Sequence, residues 1–215
     1  GSFIPKNKVD NNSFSDKLFF DKDGNEYPNS NDEIIEKFQT ITGIKERRYA
    51  DKEHKTSDLA TFAAQNAIKD AGIDKETIDY IIVAHNFGDI EYGTNQYIAL
   101  PSLATMVKHK LNILNENCVA YDIIFGCPGW IEGVIQASAF IKSKMAKRCL
   151  VIGADTLSRT IDESDRDSMI FADGAGATII EENLEPGGIL SHKTITKAGK
   201  EALYLFCETS YNPKN

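Results

Sequence analysis

The chain has no long apolar run, and so no segment able to cross a bilayer as a helix, which takes about 20 consecutive apolar residues. No charged-then-apolar leader opens it either. Cysteine is sparse: Cys118, Cys127, Cys149 and Cys207 occur without CxxC spacing and without histidines at zinc-site intervals. That pattern argues against structural zinc, so no metal is expected. A disulfide framework is not expected in a 215-residue chain read as cytoplasmic. Positive charge is in short supply, with 24 Lys and Arg against 32 Asp and Glu, a net charge of −8. A nucleic-acid binder would need the opposite balance to neutralise phosphates. The remaining class is a soluble globular protein with neither nucleic-acid nor membrane partners.

Strand-like and helix-like segments alternate in the sequence. A short helix is expected over Asp32 to Phe38, capped by Asn31 or Asp32. Ser57-Asp58 opens a helix with the apolar face Leu59, Phe62, Ala63, Ala67 and Ile68, ending at Gly72. Continuous apolar runs at Tyr80–Ala84, Val119–Ile124 and Cys149–Ala154 are of strand length, and a further strand is expected over Ala175–Glu181, with Gly188–Lys193 as its partner. Between them the spacing predicts helices over Leu100–Leu111 and Gly129–Lys144. Strands apolar on both faces alternating with helices imply an α/β domain, a mostly parallel sheet sandwiched by helices. Cys118 and Cys149 lie in or beside the apolar runs and are expected to be buried packing residues. With no repeat, linker or low-complexity tract, residues 1–215 read as one domain.

The most informative segment is Phe125-Gly126-Cys127-Pro128-Gly129-Trp130, between a strand and an amphipathic helix. A thiol at a helix N-terminus meets unpaired N–H groups and the positive end of the dipole, which favour its thiolate. Gly126 and Gly129 permit a sharp turn and close substrate approach. Local physics leaves two readings equally open, a nucleophile or a small buried residue in a tight turn.

Ordered motifs favour the first reading. Gly1-Ser2-Phe3-Ile4-Pro5, Thr42-Gly43-Ile44-Lys45-Glu46-Arg47, Asp70-Ala71-Gly72, Gly126-Cys127-Pro128-Gly129-Trp130, Leu150 to Arg159, Asp165-Arg166 and Phe171 to Ala177 resemble, in order, motifs of the 3-oxoacyl-[acyl-carrier-protein] synthase III family of the thiolase superfamily. The resemblance implies a thiolase-like fold and an acyltransferase. Cys127 would accept an acyl group, and a decarboxylated malonyl-type extender would then attack it, in fatty-acid or related lipid or polyketide synthesis. No dissociable cofactor is implied, since substrates ride on coenzyme A or on the phosphopantetheine of acyl carrier protein. A homodimer is implied as well.

The family's catalytic His and Asn belong to a second, C-terminal half of the duplicated fold. The resemblance therefore implies that this chain is the N-terminal half, with the C-terminal half absent from it and the chain inactive alone. Substrate contacts implied or weighed are Arg166 for the carrier, Leu100 walling the partner subunit's acyl pocket, Gly126 and Gly129 beside the acyl group, and Glu91 as a general base, against a solvated loop role for Glu91. The position where the family has an Arg before its TGI[RK]ER motif is Ile41 here, which implies a longer or carrier-bound primer rather than acetyl-CoA. Arg166 also has the reading of a surface ion pair with Asp162, Asp165 or Asp167. Phe171 to Gly176 reads as a structural turn rather than a phosphate loop. The alternatives are non-decarboxylating acyl transfer or condensation within the superfamily, or a non-catalytic half serving as a structural partner.

Overall fold

Residues 1–94, 96–183, 188–205 and 209–214 are described by a computed structural model; Cys207 lies outside them. The chain opens with β1 (Ser2–Phe3) and β2 (Asn7–Asp10), then α1 (Asn31–Thr42) and β3 (Glu46–Tyr49), which pairs antiparallel with β2. There follow α2 (Thr56–Ala71), β4 (Tyr80–His85), the small hairpin of β5 (Asp89–Ile90) and β6 (Tyr97–Ile98), and α3 (Leu103–Lys110). The last elements of the core are β7 (Val119–Ile124), α4 (Gly129–Lys142), β8 (Arg148–Thr156) and β9 (Asp173–Glu181).

The ends of the helices follow from local chemistry. The α1 cap is Ser30, whose hydroxyl accepts from Glu33 N, rather than Asn31 or Asp32. Asn31 is used elsewhere, its amide donating to the carbonyls of Phe14, Ser15 and Lys17. Gly43 and Gly72 close α1 and α2 with φ of 71° and 62°, the left-handed conformation that glycine adopts without a Cβ penalty.

The main sheet has the order β1-β9-β8-β4-β7. β4 lies between β7 and β8 and is parallel to both, whereas β9 runs antiparallel to β8 and to β1. The sheet is therefore mixed, with three parallel strands on one side and an antiparallel edge on the other. β9 takes β1 as its second neighbour, so the expected pairing of Gly188–Lys193 with it does not form; no strand is assigned there. A hydrogen bond from Ala177 N to Gly1 O supports the β1 pairing.

Side chains alternate across this sheet. Ile81, Val83, Leu150, Ile152 and Ala154 face α2 and α3, in a core completed by Ala60, Ala63, Leu103, Ala104 and Val107. Ile82, Cys149 and Val151 face α4 with Ala137 and Ile141. Each of the Ile, Leu and Val side chains among them contributes about 1.5–3 kcal/mol by leaving water. A third cluster holds the N-terminal segment: Phe14, Phe19, Ile34, Ile35, Phe38 and Met169. Through it runs Arg47, 4% exposed, donating to Met169 O, Val9 O and Asn11 Oδ1 and stacked on Phe14.

Candidate active site

Cys127 sits in the turn from β7 into α4, at the carboxyl ends of the parallel strands. Gly126 has φ of 71°, and Gly129 N donates to Gly126 O at 3.0 Å, closing a tight turn around Cys127 and Pro128. Gly129 is required by contact: a Cβ there would stand 2.9 Å from Ala84 Cβ at the end of β4. Gly133, one turn on, would place a Cβ 2.8 Å from Val151 Cγ1. With Ala137 and Ile141 these small residues form the stripe on which α4 lies close against β4 and β8. The stripe holds the N-terminus of a 14-residue helix next to the thiol, where the dipole favours a developing anion.

The cysteines divide by environment. Cys118 and Cys149 are buried, and burial pushes both thiols up, that of Cys149 to about 12. Such thiols are inert at neutral pH. Cys127 is exposed. Of the three described cysteines, it alone is open to a substrate.

Two carboxylates clamp the end of β4. On the α3 side, Asp122 of β7 accepts from Leu103 N and Ala104 N at the head of α3 and pairs with His85 Nε2 at 3.0 Å. His85 Nδ1 accepts from Gly88 N, so this histidine is a buried, satisfied packing residue. On the α4 side, Asp155 of β8 accepts from Asn86 N at 2.9 Å and from Asn86 Nδ2 at 2.8 Å. Burial raises the Asp155 carboxyl above its usual range, an effect that the two Asn86 donors only partly offset. Sequence reasoning missed Asn86, Asp122 and Asp155. The available signal was a single acid inside each of two otherwise apolar strands.

Gly126, Cys127 and Gly129 come together in this turn, while the other expected site residues lie elsewhere. Glu91 is exposed beside the β5–β6 hairpin, where its carbonyl accepts from Thr94. Leu100 is 83% exposed. Arg166 stacks on the Tyr27 ring at 4.5 Å and lies 3.8 Å from Asp167, the partner expected of a surface ion pair. Asp173 is buried and accepts from Ala50 N, Ser158 N and Ser158 Oγ, which makes the Phe171–Gly176 segment an anchor for the start of β9. Among the described residues no three His, Cys, Asp or Glu side chains are grouped to hold a metal, and no helix is long and apolar enough to cross a membrane.

Comparison with known proteins gives a consistent picture. Residues 121–198, which include the Cys127 turn, match the family model of 3-oxoacyl-[acyl-carrier-protein] synthase III. A beta-ketoacyl-[acyl-carrier-protein] synthase III of Neisseria meningitidis serogroup C is 41% identical over 192 residues, 89% of this chain and 53% of that protein. A synthase III of Vibrio parahaemolyticus is 45% identical over 152 residues, 70% of this chain and 45% of that one. Among solved structures, the Thermus thermophilus synthase III superposes with a TM-score of 0.70 at 31% identity, over 86% of this chain and 51% of that chain. The chain thus spans about half the length of the curated relatives it matches. Motifs, thiolase-like topology and relatives agree, and over most of its length the chain is similar to 3-oxoacyl-[acyl-carrier-protein] synthases III.

Proposed function

We propose that this chain is the acyl-accepting, N-terminal half of a condensing enzyme of the beta-ketoacyl-[acyl-carrier-protein] synthase III type, with Cys127 as nucleophile. The observation that carries the proposal is the exposure of Cys127 in a glycine-bounded turn at the head of α4. The thiolate attacks the carbonyl of an acyl thioester, the carrier's sulfur leaves with the bonding pair, and an acyl-cysteine remains. The amide of Cys127 would help to stabilise the oxyanion of that addition. A malonyl-type extender then loses carbon dioxide, and its carbanion displaces the Cys127 thiolate to leave a 3-oxoacyl thioester.

The second half of the duplicated fold would supply the His and Asn that activate the thiolate and stabilise the decarboxylated extender. Its natural seat is the outer face of α4, where Trp130 and Ile131 remain 38% and 57% exposed. A homodimer is supported by β7, an edge strand whose Val119 and Ile124 are 46% and 67% exposed; unpaired edges of this kind invite a second copy. Ile41, 73% exposed, occupies the family's Arg position, and Arg166 is stacked on Tyr27. The first favours a carrier-bound or longer acyl primer over acetyl-CoA, and Arg166 would contact the carrier. Glu91 and Leu100 would act only from the hairpin side of the site, Leu100 as a wall toward the partner subunit. The enzyme would work in the cytoplasm.

The test is intact mass after incubation with acyl-CoA and acyl-carrier-protein thioesters of graded chain length. An acyl adduct is expected on the full-length enzyme and absent from Cys127→Ala, while the 215-residue chain alone completes no condensation. An adduct that survives Cys127→Ala would reject the assignment.

A further inference from the structure

The turn that carries Cys127 rests on the end of β4 at two points. Gly129 lies against Ala84, and Gly126 against Asn86, whose Oδ1 is 3.9 Å from where a Cβ on Gly126 would stand. Strand alternation puts Ala84, Asn86 and Asp155 on the α4 side of the sheet, the side of the thiol. Asn86 has no freedom to turn its amide over, because both its backbone N and its Nδ2 are committed to the two oxygens of Asp155, at 2.9 and 2.8 Å. Its carbonyl oxygen is thereby held on the side of the Cys127 turn, and the amide stands between that turn and the Asp155 carboxylate.

We infer that Asn86, locked by Asp155, is a positioning residue for Cys127: it seats the Gly126 turn and keeps the Asp155 carboxylate on its far side, away from the thiol. This deepens the acyl-transfer reading proposed above and rests on it. The raised Asp155 carboxyl fits a group that gains only part of its lost solvation from Asn86. The other charges near the turn are differently placed. His85 and Asp122 pair with one another on the α3 side of the sheet, and Glu132 lies in the first turn of α4.

The test exchanges the two side chains. Asn86→Asp combined with Asp155→Asn keeps an amide–carboxylate pair but moves the negative charge next to Gly126. The readout is the pH profile of Cys127 alkylation by iodoacetamide on the full-length protein, followed on the Cys127 peptide by mass spectrometry. A like charge nearer the sulfur disfavours the thiolate, so the alkylation midpoint should rise by about one unit, roughly tenfold less thiolate below the midpoint. Asp155→Asn alone should lower it. Acyl loading should slow in the exchanged protein at unchanged half-saturating thioester.

A folded exchange variant with the wild-type midpoint would overturn the inference and leave the pair a structural hydrogen bond. If the exchange does not fold, Asn86→Ala carries the same test. It removes the spacer between the turn and Asp155, and an unchanged midpoint there is equally fatal. Alkylation needs no thioester. A protein that shows the shift but never loads an acyl group would therefore sink the acyl-transfer reading and spare the positioning role.

Discussion

The two faces of the central sheet are built differently. On one, α2 and α3 bury Leu59, Ala60, Ala63, Ala64, Leu103, Ala104 and Val107 to 2% exposure or less. On the other, α4 buries only Gly129, Gly133, Ala137 and Ile141, while Trp130 and Ile131 stay open. Both faces are apolar, so the difference is not one of composition. Two helices, α2 with an alanine-rich stripe and α3 with Leu103, Ala104 and Val107, close the first face. A single helix with glycines in its stripe comes very near the second, which places the head of α4 over the end of β4 but leaves Trp130 and Ile131 open on its outer side. The first face supplies stability, and the second gives up coverage for a close approach that fixes the position of one thiol.

That contrast can be broken by substitution. Ile81→Ala empties a fully buried site on the closed face and should cost about 2–5 kcal/mol in a denaturant titration. A cost below about 1 kcal/mol would mean that this core is loosely packed. Gly133→Val drives methyl groups into Val151, which a bare Cβ would already approach to 2.8 Å. It should cost about 1–3 kcal/mol, and because it lifts α4 it should also slow acyl loading at Cys127. Loss of stability with loading untouched would separate helix seating from thiol placement. Ile131→Ser on the open face should change the stability of the 215-residue chain by less than about 0.5 kcal/mol. The same change in the full-length protein should cost more if a second half covers α4, and equal effects in both would remove that face from the interface.

The helices and central strands were legible because their signals are local. The apolar runs at Tyr80, Val119 and Cys149, the Gly72 stop and the strand–turn–helix at Cys127 each need only a few neighbouring residues to be recognised. The failures share another cause. Asn31 looked like a cap because its amide is a good capping group, yet it binds three carbonyls of the preceding loop. Gly188–Lys193 looked like a partner for β9, but β1, more than 170 residues earlier, holds that edge through Ser2 and Phe3. Arg47 sits among Lys45 and Arg48 in the sequence, yet it alone of the three is buried, because three acceptors and two phenylalanine rings converge on it.

By itself the sequence determined the alternation of strands and helices, the glycine-bounded cysteine turn and the family resemblance, since these depend on periodicity, turn chemistry and ordered motifs along the chain. Only the tertiary structure decided which strand flanks β9, and that Asp155 grips Asn86 beside the Cys127 turn while Asp122 grips His85 on the opposite face. The physical reason is that a carboxylate's partner is chosen by what the register of neighbouring strands brings within about 3 Å, and nothing adjacent to Asp155 in the chain announces Asn86, 69 residues away.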